Sequence, residues 1–383
     1  MNALFISPWY PNKYDSMLGL FVRKHAEAVG LYANVKVLYV HPDKNIKKTE
    51  IVVNQQNNIE EYIVYYPVSG KSFFSKIKKT FRYFKAYKKG VQLLTKKDWK
   101  PDIIQANIFT RTAFIAYLLK LKYGIPYAVI EHWTKYFRPK TFRNPWHKYL
   151  SRFVARKASA VMPVTHHLKQ CMEAYGMKNN NYQVINNVVD DIFFKEYPAE
   201  KKEKVQILNV TSSNDAHKNI TGILRTIERL SQKRTDFEMI VIGDGADFDQ
   251  IKAYEKSLNI ASGVVRFTGL LEGHDLVKMY KACDFTILFS NFENIPVVIS
   301  ESFVCGKPVI STDVGGIKEH IHADNGILIK AKDEEALLNS IDWMIDNYKK
   351  YNSEKIAEEA YQKYSYEHVG KELTDIYTQI LRK

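Results

Sequence analysis

The sequence predicts an α/β protein of two doubly wound domains facing a central cleft. Three observations carry that prediction. Short apolar runs alternate with helical stretches along the chain, the alternation restarts after residue 204, and formal charge changes sign near the break. Strand and helix alternating in this way require parallel sheets with crossover helices on both faces.

In the first half, strands are expected at 3–6, 35–40, 61–66, 102–105, 126–131, 159–163 and 182–186, with amphipathic helices such as 20–31 and 111–122 between them. In the second half they are expected at 205–210, 237–242, 264–267, 284–289, 308–311 and 326–329. Helical segments follow at 333–348 and 353–382. The stretch 189–204 is charged, contains Pro198 and has no clear period, so the domain boundary is placed there. Both halves read as Rossmann-like, and ligands of such sheets sit beyond the carboxyl ends of the strands.

Composition narrows the class. A chain of 383 residues, 45% apolar, can build two or three domains with real cores. Residues 1–188 hold 31 Lys and Arg against 10 Asp and Glu, whereas residues 189–383 hold 25 against 32. A basic half favours an anionic surface or substrate. No apolar run approaches the length of a membrane span, and no signal peptide is read at the start. Cys171, Cys283 and Cys305 are odd in number and far apart, which argues against a disulfide framework and fits a reducing, cytoplasmic setting.

The most informative stretch is 285–316, FTILFSNFENIPVVISESFVCGKPVISTDVGG. It reads strand, polar loop, helix, strand, glycine turn. Pro296 suits the first helical position, and the free N–H groups of that helix make an anion site suited to a diphosphate. Glu293 lies in the preceding loop and Glu301 lies within the helix, so two carboxylates reach different parts of one ligand.

Glu293 and Glu301 with seven residues between them, then Gly306-Lys307-Pro308-Val309-Ile310 and Gly315-Gly316, resemble the E-x7-E signature of retaining glycosyltransferases, specifically glycosyltransferase family 4. Gly19-Leu20-Phe21-Val22, Glu131-His132, Asn186-Asn187-Val188-Val189-Asp190, Lys218-Asn219, Gly243-Asp244-Gly245 and Phe267-Thr268-Gly269 extend the resemblance over nearly the whole chain.

The resemblance implies the GT-B type of fold. Residues 1–188 would form an acceptor-binding domain, a C-terminal helix near 366–383 would pack back onto it, and residues 189–365 would bind a nucleotide-sugar. It implies retaining transfer of a hexose-type sugar from a UDP or GDP donor to a glycan or lipid-linked acceptor in polysaccharide assembly. Glu301 would hold the ribose and Glu293 the sugar hydroxyls. Backbone around Asn294, Ile295, Pro296 and Val297 would face sugar and phosphates. Ser212 and Ser213 would line the donor site, and Leu270 and Leu271 would lie near the base. Gly315-Gly316 is read as a tight turn.

Lys218 would neutralise the departing diphosphate. Relatives place an arginine where Ser213 stands; Arg23 and Lys24 are the cations considered as replacements. Relatives also favour glycine at Asn294, whose unusual backbone angles asparagine tolerates. Gly19 is expected to allow close approach to the donor because it lacks a Cβ. His132 is expected to hydrogen-bond the sugar, with Glu131 ranked below it. No nucleophile–base pair is visible, in keeping with a front-face mechanism.

No metal or other cofactor is expected. Asp247-Phe248-Asp249 opens a helix, where carboxylates favour the dipole. Residues 71–100 carry eleven cations, with Asp98 the only acid. Phe74, Ile77, Phe81, Phe84, Tyr87, Val91 and Leu94 recur at helical spacing there. Two readings stand: a helix packing that stripe inward, or attachment to an anionic membrane surface on the inner face of the cytoplasmic membrane. A nucleic-acid partner is not expected, since no binding module accompanies the charge. Ser213 in the arginine slot also leaves open a catalytically weak nucleotide-sugar binder, and the basic half leaves open a membrane- or nucleic-acid-binding scaffold.

Overall fold

Apolar central strands, most of them buried, build the chain into one mixed and one parallel sheet. The structure, a computed structural model, describes residues 1–70, 72–95, 99–109, 111–138, 145–197 and 202–382. Lys71, Lys96, Lys97, Asp98 and Pro198 of the sequence expectations lie outside them. The chain divides into two compact units: 1–164 with 168–188 and 366–383, and 165–167 with 189–365.

The first unit runs β1 Asn2–Ser7, α1 Leu20–Gly30, β2 Asn34–Asp43, β3 Glu50–Gln56, β4 Ile59–Pro67, α2 Phe73–Thr95, β5 Ile103–Asn107, α3 Arg111–Tyr123, β6 Tyr127–Glu131, α4 Pro145–Lys157, β7 Ala160–Pro163 and α5 His166–Ala174. The first turn of α5 groups with the second unit. The strand order is β3-β4-β2-β1-β5-β6-β7. Ala3–Ile6, Ile103–Asn107 and Tyr127–Glu131 are buried throughout, as expected of central parallel strands covered on both faces.

Two expectations need correction here. The sheet is not wholly parallel: β3, which the periodicity does not predict, pairs antiparallel with β4 from Glu50↔Tyr65 to Gln56↔Ile59. Its side chains are largely exposed, so no inward alternation marks it. Residues 182–186 form no strand. Gln183 and Ile185 donate to Val161 and Pro163, but only Tyr182 makes a bridge.

The second unit runs β8 Val205–Val210, α6 Asp215–Lys218, α7 Ile220–Ser231, β9 Phe237–Ile242, α8 Phe248–Ser257, β10 Val265–Gly269, α9 Gly273–Ala282, β11 Phe285–Leu288, α10 Val297–Val304, β12 Val309–Thr312, β13 Gly326–Ile329, α11 Glu334–Asn347 and α12 Ser353–Tyr364. Its sheet is parallel, in the order β10-β9-β8-β11-β12-β13. Helix α7 packs Ile220, Ile223, Leu224, Ile227 and Leu230 against one sheet face, with Leu337 and Ile341 of α11 beside them. Phe303, Ile356 and Tyr364 fill the other face. The last helical stretch breaks at Ser365, and α13 Tyr366–Leu381 returns to the first unit against α1.

Strand β8 lies between β9 and β11. The order of strands along the chain therefore reverses between β8 and β11, the point in such sheets beyond whose carboxyl ends ligands bind.

Candidate active site

The loop after β8 is built around α6. The Asn214 side chain accepts the N–H of His217, and the Asp215 carboxylate accepts the N–H and hydroxyl of Thr221 at 2.9 and 2.6 Å. These caps fix the short helix whose last residue is Lys218. The loop after β11 docks on it: Asn291 donates its N–H to the carbonyl of His217 at 2.7 Å. The Thr312 hydroxyl donates to the Ser290 carbonyl at 2.7 Å, tying the same loop to β12.

Together these contacts bring Lys218 and Glu293 into a direct ion pair through Glu293 Oε1. Their side chains are 16% and 12% exposed, so the pair is held largely out of solvent. The Ser290 hydroxyl donates to the same oxygen at 3.0 Å. Among the described residues Glu293 Oε2 has no partner, which leaves it as an acceptor for a ligand hydroxyl. The sequence expectation gave Lys218 and Glu293 separate tasks and did not anticipate their contact. Ser290 was missed altogether.

Helix α10 starts one residue later than expected. Pro296 is its N-cap rather than its first helical residue, with φ −76° and ψ 130°. Proline offers no side-chain acceptor, and no side chain caps this terminus. The first-turn N–H groups and the positive end of the helix dipole are thus left to an anion. Glu301 stands on the second turn, where the Tyr280 hydroxyl donates to Oε2 at 3.0 Å. Burial and the neighbouring Glu301 carboxylate hold the Tyr280 hydroxyl in its protonated state.

The turn after β12 backs this loop. Gly315 has φ +59°, and a Cβ there would lie 2.0 Å from the Glu293 carbonyl oxygen. Gly316 donates its N–H to the Asn294 carbonyl at 2.9 Å. Asn294 is buried, and its side-chain oxygen accepts the Thr165 hydroxyl at 3.1 Å. The expected unusual backbone angles are absent at Asn294, which is not among the residues with positive φ. Asparagine here serves a side-chain hydrogen bond instead.

Ser213 is also corrected. It is 2% exposed, its N–H donates to the Asp244 carbonyl, and its own carbonyl accepts from Asp247. The position is packed beneath the loop, with its side chain buried; Ser212 beside it is exposed. Leu270 is 62% exposed just past β10, whereas Leu271 packs against the apolar core. The Asp247 carboxylate accepts the N–H of Asp215 at 2.9 Å, a structural task.

In the first unit the structure gathers Gly19, Phe21 and His132. Gly19 caps α1 at φ +67°, and a Cβ would lie 2.4 Å from the Trp9 carbonyl oxygen. The chain's own backbone therefore already requires glycine here. The His132 ring lies 4.2 Å from that of Phe21 and 5.7 Å from that of His25. Burial, and then His25, hold His132 well below the usual histidine range, so its ring is neutral near pH 7.

Glu131 carries more of this loop than its low ranking implied. It is fully buried; Oε1 accepts the N–H groups of His132 and Trp133 at 2.9 and 2.8 Å, and Oε2 accepts that of Phe109 at 2.9 Å. Burial raises its carboxyl to about 7 against the pull of those donors. A carboxylate closing an otherwise apolar strand, Tyr127–Ile130, was the signal that could have found it. Arg23, considered as a replacement cation, is held by Glu61 at 2.9 Å, which also accepts the Tyr10 hydroxyl at 2.6 Å.

Known proteins are similar to this chain in sequence and in fold. N-acetyl-alpha-D-glucosaminyl L-malate synthase of Bacillus anthracis is 23% identical over 292 residues, covering 69% of this chain and 75% of that protein. The N-acetylgalactosamine-N,N'-diacetylbacillosaminyl-diphospho-undecaprenol 4-alpha-N-acetylgalactosaminyltransferase of Campylobacter jejuni is 26% identical over 221 residues, 56% of this chain and 58% of that one. The Anabaena protein HepE, solved in complex with UDP-glucose, matches the fold with a TM-score of 0.72 at 17% identity, over 99% of this chain and 100% of that chain. The family described as Glycosyltransferase Family 4 matches residues 34–192, and the one described as Glycosyl transferases group 1 matches residues 190–363. The chain therefore belongs to glycosyltransferase family 4 and is a glycosyltransferase of the GT-B fold.

Proposed function

We propose that this glycosyltransferase moves a hexose-type sugar, with retention at the anomeric carbon, from a UDP or GDP donor to a glycan or lipid-linked acceptor in polysaccharide assembly. The observation that carries the reading is the Lys218–Glu293 pair at the β8/β11 reversal, one loop from the uncapped start of α10. The UDP-glucose of HepE and the diphospho-undecaprenol in the Campylobacter relative's name support the donor and acceptor classes.

In this reading the diphosphate takes the first-turn N–H groups of α10 near Val297, with Asn294, Ile295 and Pro296 shaping the approach and Ser212 alongside. Glu301, oriented by Tyr280, accepts from the ribose, and Leu270 and Leu271 flank the base. Glu293 accepts a sugar hydroxyl through Oε2. As the anomeric C–O bond breaks, Lys218 stabilises the charge that develops on the departing diphosphate. The acceptor oxygen then bonds to the anomeric carbon on the face just vacated, and its proton passes to the leaving phosphate oxygen. No enzyme nucleophile is required. In the first unit His132, neutral, offers a hydrogen bond to a sugar, and Gly19 shapes the loop beside it. No metal takes part in these steps.

The experiment is a thermal-shift series with UDP- and GDP-sugars, then transfer assayed by NMR of the anomeric proton. A donor at about one hundred times its Kd should add about 2.7 kcal/mol to apparent stability. Glu293→Ala should abolish transfer. An inverted product would overturn the retaining mechanism, and no shift with any donor would overturn the reading.

A further inference from the structure

Helices α2, α3 and α4 follow successive crossovers that move the same way across the first sheet, so right-handedness places them on one face. They contain fourteen lysines and arginines and no aspartate or glutamate. The opposite face carries α1 and α13, which hold Glu27, Glu367, Glu372 and Asp375.

The three-helix layer is also apolar on its outer side. Tyr83, Ala86, Tyr87 and Leu94 of α2 are buried, but Ile77 and Phe81 are 54% and 71% exposed. Part of the stripe expected to face inward thus points out. On α3 Leu121 is 65% exposed, and on α4 Trp146 and Tyr149 are 77% and 63% exposed. Aromatic contacts run across the layer from Phe84 through Phe114, Tyr117 and Phe153 to Tyr149, with centroids 5.0 to 6.5 Å apart. Along α2 a groove of about 520 Å³ is lined by Phe81, Phe84, Lys85, Lys88, Lys89 and Gln92.

We infer that this layer docks on the surface of an anionic lipid bilayer. Exposed Trp, Tyr, Phe and Leu side chains among lysines, with no acid to repel a headgroup, match the interfacial zone, where aromatic rings sit at headgroup depth and lysine stems extend outward. Charge complementarity selects the occupant: a protein partner would need a continuous acidic surface, whereas an anionic bilayer offers one of any extent. No described helix is long and apolar enough to cross the membrane, so attachment would be peripheral. The surface uses none of the residues assigned to the donor, so it stands or falls separately from the proposed function.

The test is flotation of the full chain with neutral phosphatidylcholine vesicles and with vesicles carrying about 30% phosphatidylglycerol. The protein should float with the second alone and be released by about 0.5 M salt. Lys85→Glu/Lys88→Glu/Lys89→Glu should lower the bound fraction at least about tenfold, and Phe81→Ser/Trp146→Ser should lower it while leaving salt release unchanged. Both variants should keep the donor-induced thermal shift of the unaltered chain. Lipids brominated near the headgroup should quench tryptophan fluorescence in the unaltered chain and much less in Trp146→Phe, a readout that does not depend on the multiple variants folding. Absence from both vesicle types, binding unaffected by either variant, or retention by RNA without flotation would each overturn the inference.

Discussion

Replacing Lys218 by methionine separates the structural from the chemical role of its ion pair. The substitution leaves the Glu293 carboxylate 12% exposed, with only the Ser290 hydroxyl at 3.0 Å on its paired oxygen. Breaking a fully buried pair costs about 3–5 kcal/mol; residual exposure and the hydroxyl reduce this to about 2 kcal/mol. Glu293→Gln should cost a similar amount, because it strands the ammonium. The double variant Lys218→Met/Glu293→Gln carries neither charge and should recover to within about 1 kcal/mol of the parent in urea titration. Its transfer rate should nonetheless stay at least about a hundredfold down, since the departing diphosphate has lost its cation. A double variant that regains activity with stability would refute the chemical role. A Lys218→Met single variant as stable as the parent would refute the pairing.

Three further outcomes follow from the same geometry. Tyr280→Phe removes the donor to Glu301 and should weaken nucleotide binding about tenfold by calorimetry, with little change in turnover at saturation, because one hydrogen bond to a charged group is worth about 1.5 kcal/mol. Gly315→Ala forces a Cβ against the Glu293 carbonyl at φ +59° and should cost about 2 kcal/mol by urea titration, with loss of donor affinity. Glu131 binds its proton more tightly folded, at about 7, than unfolded, at about 4.5. Stability should therefore fall by about 3 kcal/mol as pH rises through that window, and Glu131→Gln should flatten the slope in denaturation curves at pH 5 and pH 8.

The sequence made the strand–helix alternation legible because central parallel strands are buried on both faces, and such runs as Phe237–Ile242 stand out. The edge strand Glu50–Gln56 was hidden because most of its side chains face solvent. Glu293, Glu301 and Lys218 were legible as a resemblance, but their partners were not. Ser290 and Tyr280 look ordinary in one dimension, and their hydrogen bonds to Glu293 and Glu301 are made only in the folded chain. Pro296 differed by one position because a proline serves either as N-cap or as first helical residue, and only the backbone angles decide between them. Asn294 and Ser213 were judged by the residues relatives place there; the structure assigns them a hydrogen bond to Thr165 and a packed loop interior. Ile77 and Phe81 kept helical spacing, yet spacing does not say which arc of a helix meets the sheet.

The return of α13 onto α1 has a consequence for biosynthesis. Tyr366 donates its hydroxyl to Glu27 at 3.1 Å, and Tyr377 donates to Gln105 at 2.8 Å, so residues made last seal polar groups made first. A nascent chain emerging from the ribosome therefore completes its second unit while the first still waits for its final helix. During that interval the flank of α1 bearing Ala28 is uncovered. The earliest part of this enzyme to be translated is the last to mature, and a stop codon ahead of Tyr366 would release a chain whose opening half never closes.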